Sequence, residues 1–141
     1  MSEQAIKKIL ITGANGFIGG SLMRYYQNQS QDVVGVDLVG NADDIVEGDI
    51  SQPDTISQQL QECDVIIHTA ALVSNAMQDS DMWRVNVLAT RNLIQAAKEH
   101  KVRRFVQISS IVAYGNTAEG CLLYTSPSPR DQRGSRMPSS A

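Results

Sequence analysis

The chain has 141 residues, a formal net charge of −3 and 42% hydrophobic residues. A mildly acidic chain of this length suits one domain with a buried core, and it argues against nucleic acid or an anionic membrane as a partner. No apolar run approaches the length of a membrane span, and the N-terminus has no apolar signal region. Cys63 is the single cysteine before residue 120, which indicates no disulfide framework and predicts a cytoplasmic protein. His68 and His100 are far apart and have no ligand partners nearby, so no metal site is expected.

Strand and helix patterns alternate along the chain. Strands are predicted over residues 8–12, 33–37, 44–47, 64–68 and 104–109, and helices over residues 17–28, 51 to about 62 and 80 to about 100. Ser51 should begin the second helix, and Ser80 with Asp81 should cap the third. The apolar runs at 64–68 and 104–109 are typical of strands buried on both faces. This order predicts an α/β fold, a Rossmann-type doubly wound parallel sheet of about five strands, with ligands at the carboxyl ends of the strands.

A glycine-rich turn joins the first predicted strand to the first predicted helix. Residues 12–19 read Thr-Gly-Ala-Asn-Gly-Phe-Ile-Gly, so Gly13, Gly16 and Gly19 have the spacing G-x-x-G-x-x-G. Glycines let a backbone approach a pyrophosphate closely, and a helix start offers free N–H groups and the positive end of the helix dipole. The turn therefore predicts a dinucleotide phosphate site, with an ordinary glycine turn as the alternative.

A carboxylate follows at the distance expected for such a site. Asp37 lies 18 residues after Gly19, at the end of the second predicted strand. There a carboxylate accepts hydrogen bonds from the ribose 2′-hydroxyl and repels a 2′-phosphate. The next residues, Leu38 and Val39, offer no cation for that phosphate. These residues favour NAD over NADP, and a solvated turn carboxylate is the alternative interpretation of Asp37.

From about residue 6 to about residue 120, the chain resembles the extended short-chain dehydrogenases/reductases. This group includes NAD-dependent sugar-nucleotide epimerases and dehydratases and 3β-hydroxysteroid-type dehydrogenases. The resemblance rests on the glycine turn and on further motifs that occur in the order typical of the family. These motifs are Gly48-Asp49-Ile50, His68-Thr69-Ala70-Ala71, Asn86, Ser109-Ser110 and Tyr114-Gly115. They are specific for the superfamily and much less specific for the substrate.

The resemblance implies an NAD site made of loop and strand-end residues. Asp49 would accept a hydrogen bond from the adenine amino group, and Ile50 would pack on the ring. Asp49 could instead cap the following helix. Ala70 and Ala71 would leave room for the ribose and the nicotinamide, while His68 is expected to be a packed strand-end residue. The implied cofactor-binding residues are Gly13, Asn15, Gly16, Phe17, Ile18, Gly19, Asp37, Asp49, Ile50, Ala70 and Ala71.

Two further residues are implied near the active site. Asn86, on the third predicted helix, would bond to backbone there and hold its geometry, with a tolerated, partly exposed asparagine as the alternative. Ser110 would be catalytic, because its hydroxyl would hydrogen-bond the substrate oxygen that gains or loses a proton. Tyr114 is expected to be a packing or substrate-rim residue.

The acid/base pair of the family, Tyr-x-x-x-Lys, does not occur in the sequence. The residues four positions after the tyrosines are Gln29, Ser30, Ala118 and Ser128. A longer parent protein would transfer hydride between nicotinamide and the carbinol of a sugar nucleotide, a steroid-like molecule or another small substrate, and it could form a homodimer. The chain as printed is expected to be inactive. The alternative is a non-catalytic NAD(P)-binding regulatory or scaffold protein of the same fold.

The composition changes after Gly120. Residues 121–141 hold three of the four prolines, five serines and three arginines, and such a stretch cannot bury enough apolar surface to become ordered. Residues 121–131 can be back-translated, codon by codon, into the transposase adaptor of short-read DNA libraries, and residues 134–141 into the flow-cell adaptor. We therefore predict that residues 1–120 are the N-terminal part of an NAD-binding domain with an incomplete sheet. Residues 121–141 would be translated adaptor after a truncation, with a native disordered tail as the alternative.

Overall fold

Five parallel strands form the sheet in the part of the chain that the structure describes. The computed structural model describes residues 6–40, 44–73 and 79–110. The chain divides into two units, residues 1–108 and 109–141, and only Ser109 and Ser110 of the second unit are among these residues. The strands are β1 (Lys8–Thr12), β2 (Asp32–Asp37), β3 (Ile45–Glu47), β4 (Val65–His68) and β5 (Arg104–Gln107). The α-helices are α1 (Phe17–Asn28), α2 (Ser57–Gln61), α3 (Asp79–Trp83) and α4 (Thr90–Glu99), with a 3-10 helix at Pro53–Ile56 and a π-helix at Arg84–Ala89.

The strand order places β1 at the centre of the sheet. The order is β3-β2-β1-β4-β5, and all neighbouring pairs are parallel. Leu10 of β1 lies between Val34 of β2 and Ile66 of β4. The first three strands succeed one another in one direction and β4 starts the other, so the order reverses between β1 and β4. Ligands of open α/β sheets bind at the carboxyl ends of the strands at such a reversal. The predicted fold class is confirmed.

Alternate residues of β1 face two separate cores. Leu10 is fully buried and belongs to a cluster with Ile66 of β4 and Leu93 of α4. Its neighbour Ile11 belongs to a second cluster, with Met23 of α1. Helices thus cover both faces of the sheet, which explains the uninterrupted apolar runs of β1 and β4. Among the described residues, no helix combines the length and the apolar character that crossing a membrane requires.

The fifth strand is shorter and more exposed than predicted. The strand expected to be buried over residues 104–109 ends at Gln107, and three of its four residues are exposed. In the described part of the chain β5 is the edge strand and pairs with β4 alone. The side chain of Phe105, on β5, packs against the core cluster that contains Leu10. An apolar run predicts a strand, but the position of the strand in the sheet decides its burial.

The start of the second predicted helix is also corrected. Ser51 is not its N-cap, and the Ser51 amide donates to Asp49 Oδ1 at 2.8 Å in a turn ahead of the helix. The helix begins instead as a 3-10 turn at Pro53, after Gln52, which makes no side-chain cap. Asp49 thus forms a side-chain turn with the Ser51 backbone, as short polar side chains often do.

The third predicted helix starts earlier and is not uniform. Ser80 and Asp81, the expected caps, lie inside α3. The helix then widens into the π-helix at Arg84–Ala89, which contains Asn86, before α4 continues it. A π segment within an α-helix is rare and is frequent at functional sites.

A histidine lies within the core at the end of β4. His68 is fully buried, its Nδ1 lies 2.6 Å from Thr12 Oγ1 and its Nε2 lies 2.9 Å from Thr90 Oγ1. Burial lowers the pKa of His68 from 6.5 to about 4, because desolvation penalises the charged ring. The prediction of a packed strand-end histidine is confirmed.

The buried ring should make the stability of the chain depend on pH. The pKa of His68 is about 4 in the folded chain and ordinarily 6.5, so the unfolded chain binds more protons between these two pH values. The stabilisation is complete above pH 6.5 and decreases as the pH falls towards 4, by an amount on the order of 3 kcal/mol. NMR titration of the imidazole signals checks the cause, with His100→Gln as the variant that identifies the other histidine. His68 should stay neutral down to about pH 5; titration near its ordinary value would contradict the prediction.

Candidate functional site

Gly13 holds the glycine loop between two neighbouring strand ends. Its φ is 70°, a conformation that residues with side chains rarely adopt. Its amide donates to the Val36 carbonyl of β2 at 2.8 Å. On its other side, a Cβ would stand 2.8 Å from both the backbone nitrogen and the Cα of Ala70, just beyond β4. A residue larger than glycine would therefore push the loop away from β4.

The rest of the loop forms the start of α1. Gly16 precedes the helix, and no side chain caps it. A Cβ on Gly19 would overlap the carbonyl oxygen of Gly13 and lie 2.7 Å from its carbon, so the first turn packs directly on the loop. The amides of Phe17, Ile18 and Gly19 lie before the first i→i+4 bond, from the Gly20 amide to Gly16 O. A groove of about 460 Å³ runs from this turn along α1 to Asp44 and Ile45 at the start of β3. Uncapped amides at a helix start are the geometry of an anion site.

Hydrogen bonds tie Asp37 to this loop. The Asn15 amide donates to Asp37 Oδ2 at 2.9 Å, and the Leu38 amide donates to Oδ1 at 2.8 Å. The Asn15 side chain donates to the Val39 carbonyl at 2.7 Å. Asn15 therefore connects the loop to the end of β2, and it orients the Asp37 carboxylate through its own amide.

The segment after β3 lies one strand further along the same edge. Asp49 is half-buried, and its Oδ1 accepts from the Ser51 amide in the local turn described above. Ile50 is only 7% exposed and packs in the core cluster of Leu10. Asp49 thus stands at the surface of this edge, whereas Ile50 supports it from inside.

The segment after β4 forms the opposite wall of the reversal point. Thr69 donates to the Thr12 carbonyl twice, from its amide at 3.2 Å and from its hydroxyl at 2.7 Å. The Ala70 amide donates to Thr12 Oγ1 at 3.4 Å. Ala70 is half-buried and Ala71 is exposed. Because the side chains of Ala70 and Ala71 are only methyl groups, this segment fills little of the space beside the glycine loop.

Asn86 holds the same segment from the helix side. Its Oδ1 accepts from the Leu72 amide at 2.7 Å, and its Nδ2 donates to the Leu72 carbonyl at 2.9 Å. The expected bonding to backbone is present, and both polar ends of the side-chain amide take part in it. Asn86 is partly exposed, as the alternative had it, but its side-chain amide has a specific backbone partner in Leu72.

Ser110 belongs to a different unit of the chain from the residues above. It lies in the unit of residues 109–141, and Tyr114, Gly115 and residues 121–141 lie outside the described residues. Its catalytic role stays a prediction. Within residues 6–40, 44–73 and 79–110, no three His, Cys, Asp or Glu side chains come together as a metal site would require.

Sequence reasoning did not identify Thr12 and Thr90 as members of this site. Both hydroxyls contact the ring of His68. The sequence did offer a local indication for Thr90, because it follows Asn86 by four residues and so lies on the same helix face. Thr12 had none, because it is 56 residues from His68 and meets it only through the pairing of β1 with β4.

Known proteins share this sequence pattern. The model of the NAD dependent epimerase/dehydratase family matches residues 9–133. A putative dihydroflavonol 4-reductase of Synechocystis sp. is 33% identical over 119 residues, which cover 78% of this chain and 34% of that protein. The UDP-glucose 4-epimerase of Vibrio cholerae is 33% identical over 142 residues, which cover 91% of this chain and 43% of that protein.

A solved structure shares the fold as well. A short-chain dehydrogenase/reductase superfamily protein from Agrobacterium tumefaciens with bound NAD has a TM-score of 0.70 and 33% identity, and the match covers 77% of this chain and 34% of that one. The chain thus spans less than half the length of these relatives. The family match covers most of the chain and includes the glycine loop and every strand end described above. The chain belongs to the NAD-dependent epimerase/dehydratase family.

Proposed function

We propose that this chain is the NAD-binding part of an enzyme that transfers hydride between NAD and a substrate carbinol. The observation that carries the proposal is the joint position of the glycine loop and the Asp37 carboxylate. The Asn15 amide, in the loop, donates to Asp37 at 2.9 Å, so a phosphate site and a ribose site would lie side by side. NAD is the cofactor for which the family is named, and it is bound in the similar Agrobacterium protein.

The pyrophosphate would bind at the start of α1. Gly13, Gly16 and Gly19 let the loop pack closely on itself and on Ala70, and no side chain caps the helix. The amides of Phe17 and Ile18 would then donate to phosphate oxygens, with the helix dipole favouring the negative charge. The residues present therefore fit a dinucleotide.

The remaining parts of NAD would lie along the same edge of the sheet. Asp37 would accept hydrogen bonds from the adenosine ribose hydroxyls. Asp49 would accept from the adenine amino group, with Ile50 supporting that pocket from the core. Ala70 and Ala71 would leave room for the second ribose and the nicotinamide, because larger side chains would fill the space beside Gly13.

The chemistry would be hydride transfer at the substrate carbinol. When bound, NAD would supply the hydride acceptor and donor of this reaction. Ser110 would hydrogen-bond the oxygen of that carbinol. We propose a small molecule such as a sugar nucleotide as the substrate, since the similar Vibrio cholerae protein is a UDP-glucose 4-epimerase. A cytoplasmic location accords with the single cysteine before residue 120.

A second candidate function is NAD binding without turnover. Within these 141 residues, none of the four tyrosines is followed four positions later by lysine. Without this pair, the chain by itself supplies no acid/base group of the family type for the substrate hydroxyl.

One assay tests the chain itself, for which both candidates expect NAD binding without turnover. The 141-residue chain incubated with NAD and UDP-glucose should form no detectable NADH and no epimerised sugar, while isothermal titration calorimetry still detects NAD binding. Steady turnover by this chain would contradict the prediction and would require a different acid/base group.

Gly19→Ala should weaken NAD binding by about tenfold or more, because the added methyl group displaces the Gly13 carbonyl and so moves the phosphate loop. Gly20→Ala is the matched control, since its Cβ would stand 3.3 Å from the Ala14 carbonyl and needs only a small adjustment. Calorimetry gives both dissociation constants, and circular dichroism checks that both variants fold. A folded Gly19→Ala chain with wild-type affinity would argue against the phosphate site.

Asp37→Asn should reduce the preference for NAD over NADP by about tenfold, because the neutral amide neither repels a 2′-phosphate nor accepts two hydroxyl bonds as strongly. Asp32→Asn is the control, an exposed aspartate at the opposite end of the same strand. The ratio of the two dissociation constants is the readout. A ratio unchanged by Asp37→Asn, or changed equally by Asp32→Asn, would remove Asp37 from the ribose site.

A further inference from the structure

The hydroxyl and ring contacts around His68 form one continuous chain of hydrogen bonds. Thr90 Oγ1 lies 3.0 Å from the Asn86 carbonyl and 2.9 Å from His68 Nε2. The Thr90 hydroxyl has one hydrogen, and a carbonyl can only accept, so this hydrogen goes to Asn86. Thr90 Oγ1 must then accept from His68, which assigns the ring hydrogen to Nε2.

The other half of the chain follows from the same count. A neutral ring with its hydrogen on Nε2 has an acceptor at Nδ1. Thr12 Oγ1, 2.6 Å away, therefore donates to Nδ1, and it accepts in turn from the Ala70 amide at 3.4 Å. Every bond in the chain points the same way, from Ala70 through Thr12, His68 and Thr90 to Asn86.

The π-helix gives this chain its end point. The backbone amide of Thr90 bonds to the Val87 carbonyl, three residues before it. The Asn86 carbonyl, the usual partner of that amide in an α-helix, accepts the Thr90 hydroxyl instead. The same Asn86 clamps both backbone groups of Leu72 with its side chain.

We propose that His68, fixed as the Nε2–H tautomer, is a positioning residue that holds the backbone of residues 70–72 against the glycine loop through Thr12 and Thr90. It acts through these two hydroxyls and Asn86, and it does not touch the reacting atoms. The inference rests on the proposed function, because residues 70–72 matter for NAD only if NAD binds beside them. Its structural part, the ordered chain of bonds, stands independently of NAD.

The neutral ring is what makes the order of donors unique. A protonated ring would donate from both nitrogens, and Thr12 would then have to accept from Nδ1 rather than donate to it. The hydroxyl hydrogen of Thr12 would be left without its partner. The full burial of His68 favours the neutral state.

The test compares Thr90→Val, which keeps the branched shape and removes the hydroxyl, with Thr90→Ser, which keeps the hydroxyl. Three readouts on the full chain are the ring nitrogen shifts of His68 by NMR, the amide hydrogen exchange of Ala70 and Leu72, and the dissociation constant for NAD. In the wild-type chain, Nε2 should carry the hydrogen. Thr90→Val should speed exchange at both amides and weaken NAD binding about tenfold, whereas Thr90→Ser should restore wild-type values.

The outcomes separate this inference from the proposed function. A wild-type ring with its hydrogen on Nδ1 overturns the inference without any variant. Unchanged amide exchange in a folded Thr90→Val chain also overturns it. If the wild-type chain fails to bind NAD, the proposed function falls, while the tautomer and the exchange rates still decide whether the bond chain positions residues 70–72. If Thr90→Val does not fold, the comparison moves to Thr12→Val against Thr12→Ser, with the same readouts.

Discussion

The site depends on one close approach of backbone, that of Gly13 to the end of β4. With no Cβ at this position, the loop lies against Ala70 on one side and bonds to Val36 on the other. This contact lies between the ends of β1 and β4, where the strand order reverses. The start of α1 follows from it, because Gly19 packs on the Gly13 carbonyl. The proposed phosphate and ribose sites and the segment after β4 therefore share one fixed point.

Hydrogen bonds then hold the polar groups of this edge in place before any ligand binds. Asn15 connects the loop to the carboxylate and to the backbone after β2. Thr69 doubles the connection between β1 and the segment after β4. Among the described residues, no buried side-chain nitrogen or oxygen lacks a partner. A site whose polar groups are already oriented loses less entropy when it binds a ligand.

Two side chains of the helix opposite β4 bond to the end of that strand and to the segment after it. Asn86 and Thr90 both bond away from the regular helical ladder, one to Leu72 and the other to His68. The π-helix is the local form in which the Asn86 carbonyl and side chain serve these partners together. The buried His68 ring thus connects β1, through Thr12, to the helix, through Thr90.

Most of the fold and the outline of the site could be predicted from the sequence. The alternating strand and helix patterns predicted the α/β sheet. The spacing of Gly13, Gly16 and Gly19, with Asp37 at the end of the next strand, predicted a dinucleotide site at its carboxyl edge. These signals are local, since periodicity and turn residues act over a few positions. The unusual position of Asn86 inside a helix likewise indicated a specific partner before that partner was known.

Only the tertiary structure decided the rest. The exposure of β5, the start of the second helix and the π segment depend on neighbours from other elements. The partners of His68 are 56 and 22 residues away in sequence. Strand pairing and helix packing bring them together, and no local pattern encodes which hydroxyl meets which ring nitrogen. The sequence by itself determined which chemistry this edge of the sheet can hold, and tertiary packing decided how its backbone is held in position.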